Sequence, residues 1–458
     1  MTTPQGWLGH PSGLSTLFFT EMWERFSYYG MRAFLILYMT APVAAGGLAF
    51  DVRHAGSVYG TYTFSAWAAP ILGGIVADRL LGQYRSVLVG GSLIALGHFT
   101  LALHALPFFY AGLALVAAGT GLLKPNVSTL VGSLYDAGDA RRDAGFSIFY
   151  MGINTGAALG PLIAGWLAQK VDWHIGFACA GVGMLLGLTQ YVVGRDRLRP
   201  ALERLATRPA RPAGPPAPAT ARSGEGEGEG EGEGEGKAGF LGFTTIEWKR
   251  IAAMLVFFVF AAVFWTAYEQ AGSTLNLFGD RYTRLSVLGF TFPSSWFVAV
   301  QAIFVILLAP LFAWLWVRLG PREPSSPAKF AGGLFFIGLS FVLLMPAAAY
   351  AQSGSGVRVS PLWLVGCYFV QELGELSLSP VGLSVFTKLA PVRIVGMMMG
   401  VWFLADALGN KLAGWTAGFF TSMPLVQLFG TVAAVCLGAA AILSFLVRPV
   451  RRLMGGVR

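Results

Sequence analysis

The 458-residue chain is 55% hydrophobic and 14% aromatic but only 12% charged, and its mean hydropathy is +0.61. A soluble protein of this length would carry about a quarter charged residues, so the composition excludes an ordinary water-soluble enzyme or binding module and points to an integral membrane protein. The net charge of +9 comes from bases scattered among short loops, and Cys179, Cys367 and Cys436 stand alone in apolar segments, which argues against a nucleic-acid patch, a disulfide framework and a cysteine-ligated metal.

Taken in chain order, twelve stretches have the roughly 20-residue length that spans a hydrocarbon core. The first, 14–40, holds Glu21, Glu24, Arg25 and Arg32. On a helix these four fall with Tyr28 and Tyr29 inside an arc of about 140°, opposite a face of Leu, Phe, Met and Ala. Charge at membrane depth costs roughly 2.5–3.5 kcal/mol per residue on insertion scales, so such groups face a bundle interior or a water-filled cavity. Two acids and two bases on one stripe point to a proton relay or an ion-coupled substrate path; the plainer alternative is a buried structural ion-pair cluster. The segment has neither a basic leader region nor a small-residue cleavage site, so it reads as a span and not as a cleaved signal peptide. Further spans are expected at 57–77, 86–105, 107–133, 143–168 and 174–194, then at 250–278, 294–317, 329–350, 361–387, 394–420 and 424–447. The fourth, fifth, tenth and eleventh carry Gly, Pro and polar residues, as cavity-lining helices do.

Between the two groups of six lies a polar segment, 195–245, whose Pro/Ala stretch and Gly–Glu repeat (six alternating Glu, 225–235) lack apolar content and helix propensity. It reads as a disordered tether, with calcium binding as a weaker alternative. The domains are therefore 1–194, a six-helix bundle; 195–245, a linker; and 246–458, a second six-helix bundle. Of the 32 Lys and Arg residues, 23 fall in the even-to-odd loops, the linker and the C-terminal tail, five on the opposite side and four within helices. That bias places both termini and the linker in the cytoplasm, in a multi-pass protein of the cell membrane.

Two six-helix halves match the major facilitator architecture, and GGIVADRLLGQYRSVLVGG (73–91) resembles that superfamily's loop signature, in which Asp78 and Arg79 would lock helix ends together. EMWERFSYYGMR (21–32) and FSIFYMGINTGAALGP (146–161) resemble the ExxERFxYYG and FYxxINxG signatures of the proton-dependent oligopeptide transporters. GLLKPNVS (121–128), FWTAYEQAGSTLNLF (264–278), ELSLSPVGLS (375–384) and VWFLADALGNKLAG (401–414) are similar to that family's fourth, seventh, tenth and eleventh helices. The resemblance covers nearly the whole chain except the linker. It implies an all-α membrane protein of the major facilitator fold that imports di- and tripeptides with protons, without a cofactor and as a monomer in the lipid bilayer.

The chemistry of a short peptide agrees with this. A zwitterion needs an anion end, a cation end and tolerant walls. Arg25 and Lys124 suit the carboxylate, the first as a planar fork and the second as a point charge, and Glu375 suits the ammonium group. Tyr29, Tyr150 and Asn154 can bond the peptide backbone, Asn154 lying one turn beyond Tyr150; an interhelical hydrogen bond is the alternative for Asn154. Trp265 and Trp402 can form apolar walls, and Tyr62 joins the same contact set. The resemblance implies two gates: Lys124 with Glu375 closing the cytoplasmic side, and Arg32 with Glu269 closing the outer side, while Glu269, Glu21 and Glu24 exchange protons as their partners come and go.

Some positions depart from the family pattern. There is no extra helix pair between the halves, Gln301 in WFVAVQ stands where relatives carry Asn, and Trp67 stands as a larger wall where they often carry Tyr, both within the expected peptide-contact set. No His lies near Gly60, so the carboxylates must carry the proton. Glu372 reads as a second ammonium contact or a helix-end residue, and Asp406 and Lys411, five apart, as structural or interhelical groups. The rival readings are a symporter of another small zwitterion or anion, such as a modified amino acid or nitrate, on the same fold; a membrane-embedded enzyme, for which no metal cluster, nucleophile set or phosphate loop is apparent; and a non-transporting receptor.

Overall fold

The computed structural model describes residues 6–136, 139–207, 243–354, 356–391 and 394–455. The Gly–Glu repeat lies outside them, and with it the expectations attached to 208–242. In the first half run α1 (Gly13–Thr40), α2 (Val52–Val76), α3 (Gln83–Leu101), α4 (Leu106–Ser133), α5 (Arg142–Gly160) with its continuation α6 (Trp166–Lys170), and α7 (Trp173–Val193). After α8 (Arg195–Thr207), the second half contains α9 (Thr245–Tyr268), α10 (Thr274–Tyr282), α11 (Trp296–Leu319), α12 (Ser326–Ala351), α13 (Leu362–Leu389), α14 (Val395–Ala417) and α15 (Leu425–Leu453). Eight helical stretches among the described residues are long and apolar enough to cross a membrane. Of the remaining expected spans, α1, α13 and α14 are diluted by ionisable residues, and α3 opens on Gln83, Tyr84 and Arg85.

Glycine stripes set how closely these rods approach. On α5, Gly152, Gly156 and Gly160 recur every fourth residue and face α1; a Cβ on Gly160 would come 2.7 Å from the Gly30 nitrogen. Small residues at that spacing allow helix backbones to meet in lipid. The same device joins the halves, since a Cβ on Gly60 of α2 would lie 3.1 Å from the Gly414 Cα of α14. α1 packs on α5 and α7 within its half, while α2 on α14 and α5 on α11 form the seam between the halves.

Two local features differ from the sequence reading. The first thirteen residues of the expected linker form α8, whose Leu198 and Ala201 are buried. This helix is tied down by Arg204, which donates to the Ser133 carbonyl at 3.1 Å and pairs with Asp136 at 2.8 Å. An apolar face at helical spacing, hidden among charges in RDRLRPALERLAT, outweighs the polar composition. The expected single span 250–278 is broken by a short 3-10 turn, Glu269–Gly272, between α9 and α10. A Cβ on Gly272 would collide with the Tyr59 hydroxyl, so glycine lets the turn lie directly against the first half. A small hairpin, Ser286–Val287 with Phe290–Thr291, caps the same end of the molecule.

Candidate functional site

The helical repeat of α1 delivers its charged stripe to the seam. Arg25 pairs with Glu21 one turn earlier at 3.3 Å and also with Glu24, and all three are at most 3% exposed. Arg25 lies 5.2 Å from the Tyr28 ring centre, and one of its nitrogens, with one oxygen of each acid, has no protein partner. Buried charges with spare hydrogen-bonding capacity can receive a polar ligand or a proton. Two turns on, Arg32 crosses the seam. Its Nη2 pairs with Glu269, and its Nε donates to the Tyr59 hydroxyl at 2.6 Å.

Around that pair the halves are stitched together. Asn276 Nδ2 donates to the Ala33 carbonyl at 2.7 Å. Gln169 donates to Ser294 at 2.9 Å and accepts from the Ser295 backbone at 2.8 Å, and the Trp296 indole donates to the Leu162 carbonyl at 3.0 Å. These contacts lie at the end of the molecule away from the termini.

The other charged pair is not made. Lys124 and Glu375 form no ion pair among the described residues. The Lys124 Nζ sits over the Trp67 ring, 2.9 Å from its centre, while Glu375 is 7% exposed with one oxygen unpartnered. Tyr150 is 43% exposed although Glu375, Glu372 and Tyr29 lie within electrostatic reach, so its ring fronts open space between the halves. Glu372 is fully buried inside α13 and accepts from the Tyr268 hydroxyl at 2.9 Å, which removes the helix-end option.

The other expected site residues divide into two groups. Tyr29 lies 5.7 Å beneath Arg32, and Tyr62 is buried near Tyr28 with its hydroxyl unpartnered; Trp265 packs on Tyr268 with its indole nitrogen unpartnered. These flank the charges. The Asn154 side chain instead donates to the Tyr150 carbonyl of its own helix at 3.0 Å, so neither a neighbouring helix nor open space receives that N–H. Gln301 donates to Gln371 at 3.1 Å, and Trp402 packs between Phe330 and Phe386 inside the second half. Asp406 and Lys411 do not pair: Asp406 accepts from Asn410 at 2.8 Å, and Lys411 reaches across the seam to Thr61 at 2.6 Å.

Sequence reasoning missed Tyr59, Tyr268, Asn276 and Gln169. Asn276 is a polar side chain inside an apolar span and Gln169 follows directly on the end of another, whereas the tyrosines resemble ordinary packing aromatics.

Outside the spans, the loop between α4 and α5 is pinned by Arg141, which donates to Asp139 at 2.8 Å and to the Gly9 carbonyl at 3.2 Å. The guanidinium holds the Asp139 carboxyl down at about 2, from an ordinary 3.8. That depressed carboxyl contributes above pH 3.8 and is lost only as pH falls through about 2, so Asp139 does not titrate near neutrality.

The sequence model of the POT family matches residues 84–201 and 244–434. The chain is 41% identical to an uncharacterized transporter, YclF, of Bacillus subtilis, over 100% of this chain and 98% of that protein. It is 39% identical to the peptide transporter YePEPT of Yersinia enterocolitica, over 100% and 98%. Its fold superposes on a crystal structure of a variant of the peptide transporter POT in complex with alafosfalin, with a TM-score of 0.86, 38% identity and coverage of 99% and 98%.

Proposed function

The chain belongs to the POT family, and from that premise we propose that it is a proton-coupled symporter that imports di- and tripeptides by alternating access. The supporting observation is the unequal state of the two charged pairs across the seam: Arg32–Glu269 is made, while Lys124 and Glu375 are apart. A zwitterion entering the gap meets Arg25 and Lys124 from the first half and Glu375 from the second, with Glu372 buried one turn behind it. Its carboxylate and ammonium group would then bridge the halves, with Tyr29, Tyr62 and Tyr150 beside the backbone and Trp265 as a wall.

The coupling follows from the gates. With Glu269 charged, Arg32 holds the outer side closed. A proton on Glu269 removes half of that pair, frees Arg32 and favours outward opening. Closure of the outer side then restores the pair and releases the proton to the cytoplasm, and Glu21 and Glu24 lie on the same stripe to pass it along. Each charge moved inward supplies about 2.3 kcal/mol per 100 mV of membrane potential. In this reading all twelve helical rods cross the cell membrane, both termini are cytoplasmic and the monomer is the working unit.

The test is uptake of labelled dialanine into proteoliposomes with and without an inside-negative, inside-alkaline gradient. Accumulation above equilibrium that collapses with a protonophore is expected. No uptake by folded, inserted protein would redirect the reading to other small zwitterions and anions.

A further inference from the structure

Trp67 and Lys124 meet where α2 and α4 cross with almost nothing between their backbones. A Cβ on Gly121 would come 2.6 Å from the Ala69 Cβ, and one on Gly73 would run into the Gly121 carbonyl. Pro70 lies three residues beyond Trp67, and Pro125 immediately follows Lys124. Each proline removes a helical N–H, which frees the carbonyl of Ala66 or Gly121 and loosens the helix beside the crossing. The crossing brings the Lys124 ammonium onto the face of the indole, 2.9 Å from its centre.

No carboxylate lies within ion-pair distance of Lys124 among the described residues. The charges within its electrostatic reach are Arg25, Asp406, Glu24 and Glu21. Glu21 and Glu24 are engaged by Arg25, and Asp406 accepts from Asn410, so the indole is the neighbour that the ammonium contacts. Trp presents the strongest cation-attracting face of the aromatic side chains, and the attraction grows when the pair is removed from water.

We propose that Trp67 is a positioning residue that seats the Lys124 ammonium between its two partnerships, with Glu375 and with the substrate carboxylate. This rests on the reading of Lys124 as a gate and carboxylate contact. A lysine side chain is a flexible four-carbon stem whose freedom is lost on binding, and a prepositioned ammonium loses less of it. A neutral ring also releases the cation more readily than a carboxylate would, which suits a group that must change partners in every cycle.

Two measurements on reconstituted full-length protein decide this. Lys124 acylation by a membrane-permeant amine reagent, read by mass spectrometry against Lys170 and Lys388, does not depend on any substrate. Trp67→Leu should speed labelling of Lys124 several-fold, with Trp67→Phe between it and the unaltered protein. Unchanged Lys124 labelling in Trp67→Leu would overturn the seat. In dialanine uptake, Trp67→Leu should raise KM about tenfold with kcat nearly kept, and Trp67→Phe should recover part of the loss. An equal loss in both variants, falling on kcat, would make Trp67 a steric wall and overturn its positioning role. If the unaltered protein carries no dialanine, the peptide reading fails, while the labelling result still accepts or rejects the seat. Trp67→Phe keeps the comparison decisive should Trp67→Leu fail to fold.

Discussion

The two ends of the seam are built from the same materials and stand in opposite conditions. Away from the termini, a base of the first half meets an acid of the second, and Tyr59, Asn276, Gln169 and Trp296 add hydrogen bonds around them. Toward the termini, the corresponding base rests on an aromatic face and the corresponding acid keeps an unpartnered oxygen. The difference separates a gate that is held from one that is poised. At the held end glycines bring backbones together and fixed amides support the ion pair, so closure is a matter of packing as well as charge. At the poised end the charges are retained in sites from which they can leave. A rocking pair of bundles needs both conditions, exchanged in each half-cycle.

The comparison can be broken most completely at the poised end. Lys124→Ala removes a gate charge and a carboxylate contact together, and a hydrogen bond to a charged group contributes about 1.5–3 kcal/mol, or roughly 10- to 150-fold in affinity. Uptake and counterflow exchange should both fail; counterflow at the unaltered rate would show that Lys124 touches neither substrate nor gate. A smaller effect is expected at the held end. Gln169→Ala deletes bonds that stitch the halves together without touching the charges, at about 1–3 kcal/mol for the buried groups left unmatched. Labels across the outer end, read by electron–electron distances, should show a larger outward-open fraction, and an unchanged distribution would demote this amide to loop packing. The smallest effect is expected from deleting residues 222–237, which contain none of the gate or contact residues: uptake should stay within about twofold, since linker length enters closure only logarithmically. A large loss there would mean that this segment does more than tether.

Much of this architecture was legible in the chain itself. The periodicity of 14–40 placed Glu21, Glu24, Arg25 and Arg32 on one stripe, and the structure keeps them buried on α1. The resemblance to the oligopeptide transporters implies the Arg32–Glu269 pair, and the structure places the two side by side. What stayed hidden depended on tertiary context. The break at Glu269–Gly272 falls in YEQAGST, whose Gly and polar residues suit an unbroken cavity-lining span equally well; only the packing of Gly272 against Tyr59 and Arg32 tells the two apart. α8 was hidden by its charge, since Leu198 and Ala201 acquire a burial partner only once the bundle is formed. Trp67 read as a wall because nothing in SAWAAP announces that a lysine 57 positions later will rest on its ring.

The central claim is that the pair at the held end couples proton to peptide, and Glu269→Gln tests it most directly. The substitution keeps the shape of the side chain and a hydrogen bond for Arg32 but removes the charge and the titration. Proton-driven accumulation of dialanine and counterflow exchange should be measured on the same reconstituted variant. The account predicts that uphill accumulation is abolished while counterflow persists. Full uphill accumulation by Glu269→Gln would contradict it.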